Sequence, residues 1–429
     1  MLQTLFYIPA EMAGVPLFGN GVLLWLWLAW CVVYAVVRAR QTGWDSELLG
    51  SLAFMIVVGG GVLFVAPRIM DYEASGRPLG IAIRGYGVML LSGIVGGVGL
   101  ALYRAPRMGV TAETVYSLAL WLFVAGMIGA RLFYVIEYWK HFQRDTLGET
   151  LGGMLNMTRG GLVVFGGLIG AIGALLVFAR KYQLPLLRLA DLCAPSMALG
   201  LALGRVGCFF NGCCFGDVCS LPWAVEFPAS SPPHVRQIEQ GRAFGFSLSE
   251  QASAGSATTV VATVDVDSPA ARAGLTAGER VRRIDGRDVR SLEEARAALV
   301  AAALEGHVPV QFETDRGVRL VDLRPGLAKH SLAVHPTQIY SAIDGFLLTL
   351  LLLAFDPLKR HEGEVFALTL IVHAVSRFLL EVIRIDESAV FGTGLSISQN
   401  ISLGMFAGGV LLWVYLERGP RRPSLAAAR

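Results

Sequence analysis

Charge is what this chain has least of. Acidic and basic residues make up 16% of its 429 positions, against roughly 25% in ordinary soluble domains, so the polar coat of a fully wetted fold is missing. The net charge is also small, at +3, and the basic residues are dispersed. That excludes the cationic face of a nucleic-acid-binding protein, and no nucleic-acid partner is expected. Cysteine is sparse too. Cys31 lies in one apolar run and Cys193 near another, while Cys208, Cys213, Cys214 and Cys219 crowd together, which is not the spread of a secreted disulfide framework. The first apolar stretch lacks the basic lead-in and small-residue cleavage site of a secretory signal, so it reads as a retained span.

Apolar residues, at 54%, and glycine, at 50 positions, are what the chain has in plenty. Glycine lets membrane helices approach closely. A spanning helix needs about 20 mostly apolar residues, and about nine stretches approach that length. They are 19–38, 49–66, 84–103, 114–137, 161–180, 188–207, 337–355, 363–382 and 399–416. Arg38, Arg40, Arg104, Arg107, Arg180, Lys181, Arg188, Lys359, Arg360, Arg418, Arg421 and Arg422 then fall on one side of the membrane. Fewer basic residues, among them Arg68, Arg77, Lys140 and Arg144, fall on the other. The bias predicts an amino terminus outside and a tail, 419–429, in the cytoplasm.

Residues 217–334 break the apolar pattern and hold roughly half of the acidic residues, as a water-facing domain requires. Within them, 240–328 resembles a PDZ domain. The resemblance rests on Ser268–Gly278 as a short helix and turn, Val281–Val289 as strands, and Ser291–Ala303 as the helix beside a groove. Phe244-Gly245-Phe246 stands where that fold's carboxylate-binding loop would be, which implies a peptide ligand held by backbone N–H groups around Gly245 and Phe246. The alternative is an insert that binds nothing.

A charged side chain near the centre of a span costs at least ~2.5 kcal/mol, so Arg131, Arg205, Arg377 and Glu381 call for a reason. Arg377 and Glu381 are four apart and share a helix face with His373, so the three project together. Arg205 stands among Gly200, Gly204, Gly207 and Gly212, which predicts irregular backbone at the end of that span. Guanidinium forks match phosphate oxygens, so an anion-binding cavity is expected, against the alternative of arginines that only hold helices together.

These pieces together resemble the bacterial prolipoprotein diacylglyceryl transferases, over about 84–228 and 335–416. The matching segments are Gly85-Tyr86-Gly87, Gly129-Ala130-Arg131-Leu132 with Tyr134, Arg159-Gly160-Gly161 and Gly166-Gly167-Leu168-Ile169-Gly170. They continue with Asp191, Ala194-Pro195, Gly204-Arg205-Val206-Gly207, Asn211-Gly212, Leu221-Pro222-Trp223-Ala224 and His335-Pro336-Thr337-Gln338-Ile339-Tyr340. Arg377-Phe378, Glu381, Arg384 and Ile397-Ser398-Gln399-Asn400 close the series.

The resemblance implies an all-α polytopic membrane protein: a seven-helix transferase core in two parts, 84–228 and 335–418, preceded by an extra two-helix region, 1–83, and interrupted by the small α/β PDZ-like domain outside the cytoplasm. It implies a multi-pass protein of the bacterial inner membrane that moves the diacylglyceryl group of phosphatidylglycerol to the lipobox cysteine of a prolipoprotein, forming a thioether and releasing glycerol phosphate. In that reading Arg205 and Arg377 stabilise the departing phosphate and Glu381 holds Arg377. Tyr86, Arg131, Asn211, Gly204, Gly207, His335, Gln338, Tyr340 and Arg384 line the substrate site. The nucleophile belongs to the substrate, so no catalytic serine or cysteine is required of the enzyme, although the substrate thiol must become thiolate; no cofactor and no metal are expected. Two other readings remain: a related transferase with another donor or acceptor, and a non-catalytic scaffold presenting the PDZ-like domain.

Two departures from the family pattern bear on chemistry. Phe165 replaces the histidine that usually follows Arg159-Gly160-Gly161, and phenylalanine takes no proton. His373, where the family commonly has tyrosine, is a candidate base if it faces the cavity, since an ordinary imidazole titrates near ~6.5; the alternative is a packing or hydrogen-bonding residue. The second departure is the cysteine cluster, Cys-x4-Cys-Cys-x4-Cys, around Asn211. It matches no common zinc knuckle, and outside the cytoplasm one or two disulfides are expected, Cys208–Cys213 or Cys214–Cys219 among the pairings; the alternatives are a metal site and a thiol relay that accepts the diacylglyceryl group.

Overall fold

The computed structural model describes residues 3–419 apart from 74, 144–145, 157–159, 230, 254–255, 306–308, 323–329, 385–388 and 391. Arg144, Arg159 and the tail beyond 419 lie outside the described residues. The chain divides into two units, residues 1–88 and 89–429.

The first unit opens with strands β1 (Thr4–Pro9), β2 (Glu11–Met12) and β3 (Val15–Pro16), followed by helices α1 (Val22–Thr42) and α2 (Ser46–Gly60) and strands β4 (Asp71–Tyr72) and β5 (Pro78–Arg84). Asp45 starts α2 by accepting the Leu48 N–H at 2.7 Å, which satisfies one of the donors a helix start leaves open. β5 lies antiparallel between β1 and β4. The two helices coincide with apolar runs of the sequence, and the short strands of the sheet do not.

The division falls inside α3 (Gly85–Arg104). Helices α4 (Ala112–Glu137), α5 (Trp139–Phe142), α6 (Leu147–Leu155), α7 (Val164–Lys181) and α8 (Leu186–Asn211) follow. Next come α9 (Pro232–Glu239), β6 (Phe246–Ser253), β7 (Ser256–Val264), α10 (Pro269–Arg272), β8 (Val281–Ile284), β9 (Arg287–Asp288), α11 (Leu292–Glu305), β10 (Val310–Thr314) and β11 (Gly317–Val321). The chain closes with α12 (Thr337–Phe355), α13 (Glu364–Glu381), β12 (Ala389–Val390), β13 (Leu395–Ser396) and α14 (Ile397–Glu417).

Among the described residues, 8 helices are long and apolar enough to cross a membrane, where about nine were expected. The difference is α13, which carries Glu364, Arg377 and Glu381 within its 18 residues. Large apolar side chains stand outward on the spans, such as Ile136 and Leu411, 74% and 70% exposed. In water each would forgo roughly 1.5–3 kcal/mol of burial, whereas lipid tails remove that penalty.

Where α4 meets α7, a Cβ on Gly129 would stand 2.4 Å from the Gly166 carbonyl oxygen, and one on Gly166 would stand 2.4 Å from that of Gly129. Only glycine admits that approach. At the opposite end of α8 from Arg205, fully buried Asp191 accepts from Lys359 Nζ at 3.2 Å and from the N–H groups of Gly363 and Phe366 at 2.9 and 3.0 Å. Arg104 donates to the Asp191 and Leu192 carbonyls at 3.0 and 2.9 Å and pairs with Asp356 at 2.9 Å. This network ties the ends of α3, α8 and α12 to the start of α13, and each buried charge in it has a partner.

The polar insert builds its own core from Phe244, Phe246, Val261, Ile284, Leu299, Val310 and Phe312. Its sheet runs β11-β10-β8-β9, and the β6–β7 hairpin joins through a bridge between Val260 and Arg280.

Candidate functional site

Helix α8 runs unbroken from Leu186 to Asn211, so the irregular backbone expected around Arg205 is absent there. Gly204 and Gly207 are ordinary helical positions, and a Cβ on Gly204 would meet nothing within 4 Å. The break comes one residue later. Gly212 adopts a left-handed conformation, φ +75°, and its N–H returns to the Cys208 and Phe209 carbonyls, a helix end that glycine alone makes without strain. Cys214 is left-handed as well, at φ +59°. The two turns fold Cys213 and Cys214 back onto the last turn of α8.

The doubled-back loop is pinned from α12. Thr337 Oγ1 donates to the Cys214 carbonyl at 2.7 Å and Gln338 Nε2 to the Cys213 carbonyl at 2.6 Å. Gln338 is fully buried, and its Oε1 has no hydrogen-bond partner among the described residues. The Gly216 N–H donates to the His335 carbonyl at 2.9 Å. The His335 ring nitrogen Nδ1 lies 3.4 Å from the Tyr340 hydroxyl, which accepts from Trp223 Nε1 at 2.8 Å. His335, which the sequence also allows as a brace for the loop entering its helix, contacts this loop together with Gln338, and Tyr340 contacts the His335 ring.

Arg205 projects from α8, half-buried, and no hydrogen-bond or ion-pair partner holds its guanidinium among the described residues. It lies within electrostatic reach of His373 on α13 and of the Cys214 sulfur. On α13, Arg377 pairs with Glu381 and donates to Ser398 Oγ at 2.7 Å. Arg384 approaches the same Glu381 carboxylate at 3.8 Å. His373 also feels Asp344 of α12, which accepts from Ser376 at 2.9 Å, and its buried Nδ1 has no hydrogen-bond partner among the described residues. Three guanidiniums, Arg205, Arg377 and Arg384, therefore gather with two carboxylates, Glu381 and Asp344, a surplus of one positive charge. A surplus of that sign at the end of a span favours an anion.

Arg131 is placed differently from its expected role in substrate binding. Its Nε donates to the Met154 carbonyl, Nη1 to Gly160 and Gly161, and Nη2 to Gly153 and Asn156, at 2.7–3.0 Å. A guanidinium has five N–H donors, and all are engaged. Arg131 is a clasp for the chain that leaves α6 and enters α7. The apolar pattern gave no hint of this, because α6 is too short to read as a span. Tyr86 occupies the first turn of α3, in the unit of residues 1–88. Asn211 ends α8 and hydrogen-bonds the Cys213 side chain.

The expected disulfides are not formed: all six cysteines are free thiols. The sulfurs of Cys208, Cys213 and Cys214 lie within 4.8 Å of one another, and Cys219 is not among them. The left-handed turns at Gly212 and Cys214 explain this convergence, since they bring three sulfurs together rather than two pairs. Cys213 and Cys214 also line a cavity of about 450 Å³ with Phe215, Pro232, Val235, Arg236 and Glu239.

In the insert, Phe246 is buried in the core. The N–H groups of Phe244, Gly245 and Phe246 donate to the Gly241 and Arg242 carbonyls, so the loop expected to cap a peptide terminus has its own acceptors.

A family model described as prolipoprotein diacylglyceryl transferase, LGT, matches residues 77–415. A phosphatidylglycerol–prolipoprotein diacylglyceryl transferase of Rhodopirellula baltica is 36% identical over 98% of this chain and 90% of its own length. One of Finegoldia magna is 23% identical over 79% of this chain and 93% of its own. The like-named protein of Acaryochloris marina is 35% identical over 36% of this chain and 54% of its own.

Proposed function

The chain belongs to the prolipoprotein diacylglyceryl transferase family, and from that premise we propose that it transfers the diacylglyceryl group of phosphatidylglycerol to the lipobox cysteine thiol of prolipoproteins. The observation that carries the reading is Arg205, a half-buried guanidinium with no internal partner among the described residues, standing with Arg377 and Arg384 at the end of a membrane span. The bond between the glyceryl carbon and the phosphate oxygen breaks with its electron pair on oxygen. Arg205 meets the negative charge that develops there, and Arg377, aimed by Glu381 and Ser398, meets it from α13. Because these donors are already in place, little reorganisation is needed as the bond breaks. His373, whose Nδ1 has no hydrogen-bond partner among the described residues, is the group we assign to receive the proton of the acceptor thiol, a task Phe165 cannot perform.

The same reading puts the protein in the bacterial inner membrane with its amino terminus and insert outside and its carboxyl end in the cytoplasm, in accord with the Lys and Arg bias of its short loops. The insert is proposed as a PDZ-like domain with a peptide partner; support for it lies in the β6–β7 hairpin and the flanking α11. Transfer of label from phosphatidylglycerol to a lipobox peptide tests the function. Wild-type protein should label the peptide cysteine, and Arg205→Ala should lower kcat/KM by at least about 100-fold. Its melting temperature should stay close to wild type, since that side chain holds no hydrogen-bond or ion-pair partner among the described residues. Arg205→Ala at wild-type activity contradicts the assignment.

A further inference from the structure

We propose that Cys208, Cys213 and Cys214 bind one Zn²⁺ ion whose fourth position takes the thiol of the acceptor peptide; the second part rests on the function proposed above. The three sulfurs lie within 4.8 Å of one another. Tetrahedral Zn²⁺ with bonds of about 2.3 Å sets its sulfurs roughly 3.8 Å apart, so a small contraction meets the geometry. A disulfide leaves the third sulfur over.

The surroundings resemble those of a built site. Cys214 adopts a left-handed backbone, φ +59°, a conformation that disfavours any residue with a Cβ and that serves here to turn its sulfur toward Cys208. Thr337 and Gln338 hold the carbonyls of Cys214 and Cys213, the outer-layer contacts that keep metal ligands oriented. Three thiolates on Zn²⁺ carry one net negative charge, and the guanidiniums of Arg205 and Arg384 lie within electrostatic reach of the Cys214 sulfur to balance it.

Three protein ligands leave a tetrahedral ion one open position, the arrangement of catalytic rather than structural zinc. The cavity of about 450 Å³ beside Cys213 and Cys214 gives a peptide a way to reach it. A thiol that coordinates zinc is held as thiolate, the nucleophilic form. The acceptor proton passes to His373, the S–C bond to the glyceryl carbon forms, and the C–O bond to phosphate breaks with the electron pair leaving on the phosphate oxygen. Thiol activation thereby moves to the cysteine loop in a chain that has Phe165 where its family has histidine.

The test uses the reduced full-length protein in detergent, titrated with Co²⁺ and then Zn²⁺ alone. One equivalent of Co²⁺ should bind with a thiolate charge-transfer band that Zn²⁺ abolishes. Cys208→Ser, Cys213→Ser and Cys214→Ser should each weaken binding at least tenfold while eluting as wild type in size exclusion, and Cys219→Ser should bind as wild type. Absence of the band, equal loss in Cys219→Ser, or a disulfide within the trio in protein isolated from membranes without reductant would each overturn the site. Transfer to the lipobox peptide should fall at least tenfold on removal of metal by a thiophilic chelator and return with Zn²⁺. Undiminished transfer by metal-free protein overturns the role for the acceptor thiol and leaves the transferase reading intact. Metal binding with no transfer in any form overturns the transferase reading and leaves the site standing.

Discussion

Replacing Arg131 with lysine separates a clasp from a phosphate binder. The guanidinium reaches five backbone carbonyls, those of Gly153, Met154, Asn156, Gly160 and Gly161. An ammonium keeps the charge but offers three donors from a single point, so at least two of those carbonyls lose their partner. A hydrogen bond from a charged donor contributes about 1.5–3 kcal/mol, which makes the loss about 3–6 kcal/mol before water recovers part of it. Even 3 kcal/mol raises the open population of the segment about 100-fold. Hydrogen exchange of peptides spanning 147–163, in detergent, should therefore speed up by about that factor in Arg131→Lys, with transfer falling through kcat. Unchanged exchange together with a raised KM for the phospholipid would refute the clasp and return Arg131 to the substrate.

Three further perturbations check other parts of the account. Gly129→Ala places a methyl 2.4 Å from a carbonyl oxygen of α7 and should cost about 1–3 kcal/mol of stability, read as thermal midpoint, whereas Gly204→Ala, with nothing within 4 Å, should be tolerated. Burial alone would push the Glu279 carboxyl up, but hydrogen bonds from Thr314 and Thr276 and the charge of Arg319 outweigh it and hold the carboxyl below its ordinary 4.5. That stabilisation of the insert is full above pH 4.5 and disappears as the pH falls through the lowered value; Glu279→Gln should cost about 1–3 kcal/mol at neutral pH and flatten the acid limb of the unfolding curve. His373→Phe should lower transfer at least about 100-fold as a lost general base does, and full activity would remove that assignment.

Helices were legible where a long apolar run set them, because lipid imposes a length and a composition that a soluble core does not. The charged residues inside those runs were legible for the same reason, and Arg205, Arg377 and Glu381 do gather at the end of α8 and α13. What composition could not convey was the use of each donor. Arg131 looks like Arg205 in the sequence, yet one is saturated by carbonyls and the other has no partner among the described residues. Nor does spacing reveal a backbone's handedness. Two left-handed residues, Gly212 and Cys214, turn a pattern that suggested paired cysteines into a trio. The glycines around Arg205 suggested a broken helix, but in a helix interior glycine is tolerated at a cost of about 1 kcal/mol, and α8 continues through Gly200, Gly204 and Gly207 and ends only at Gly212.

In the proposed reaction a lipid's glyceryl carbon ends up bonded to a peptide's sulfur through this protein's arginine cluster. Mass spectrometry of a lipobox peptide, incubated with purified protein and phosphatidylglycerol carrying an isotopic label in its diacylglyceryl part, reads that bond directly. The expected result is a labelled diacylglyceryl adduct on the cysteine, absent from a Cys→Ser peptide and from Arg205→Ala protein. A peptide of unchanged mass, or an adduct that survives Arg205→Ala undiminished, would contradict the account.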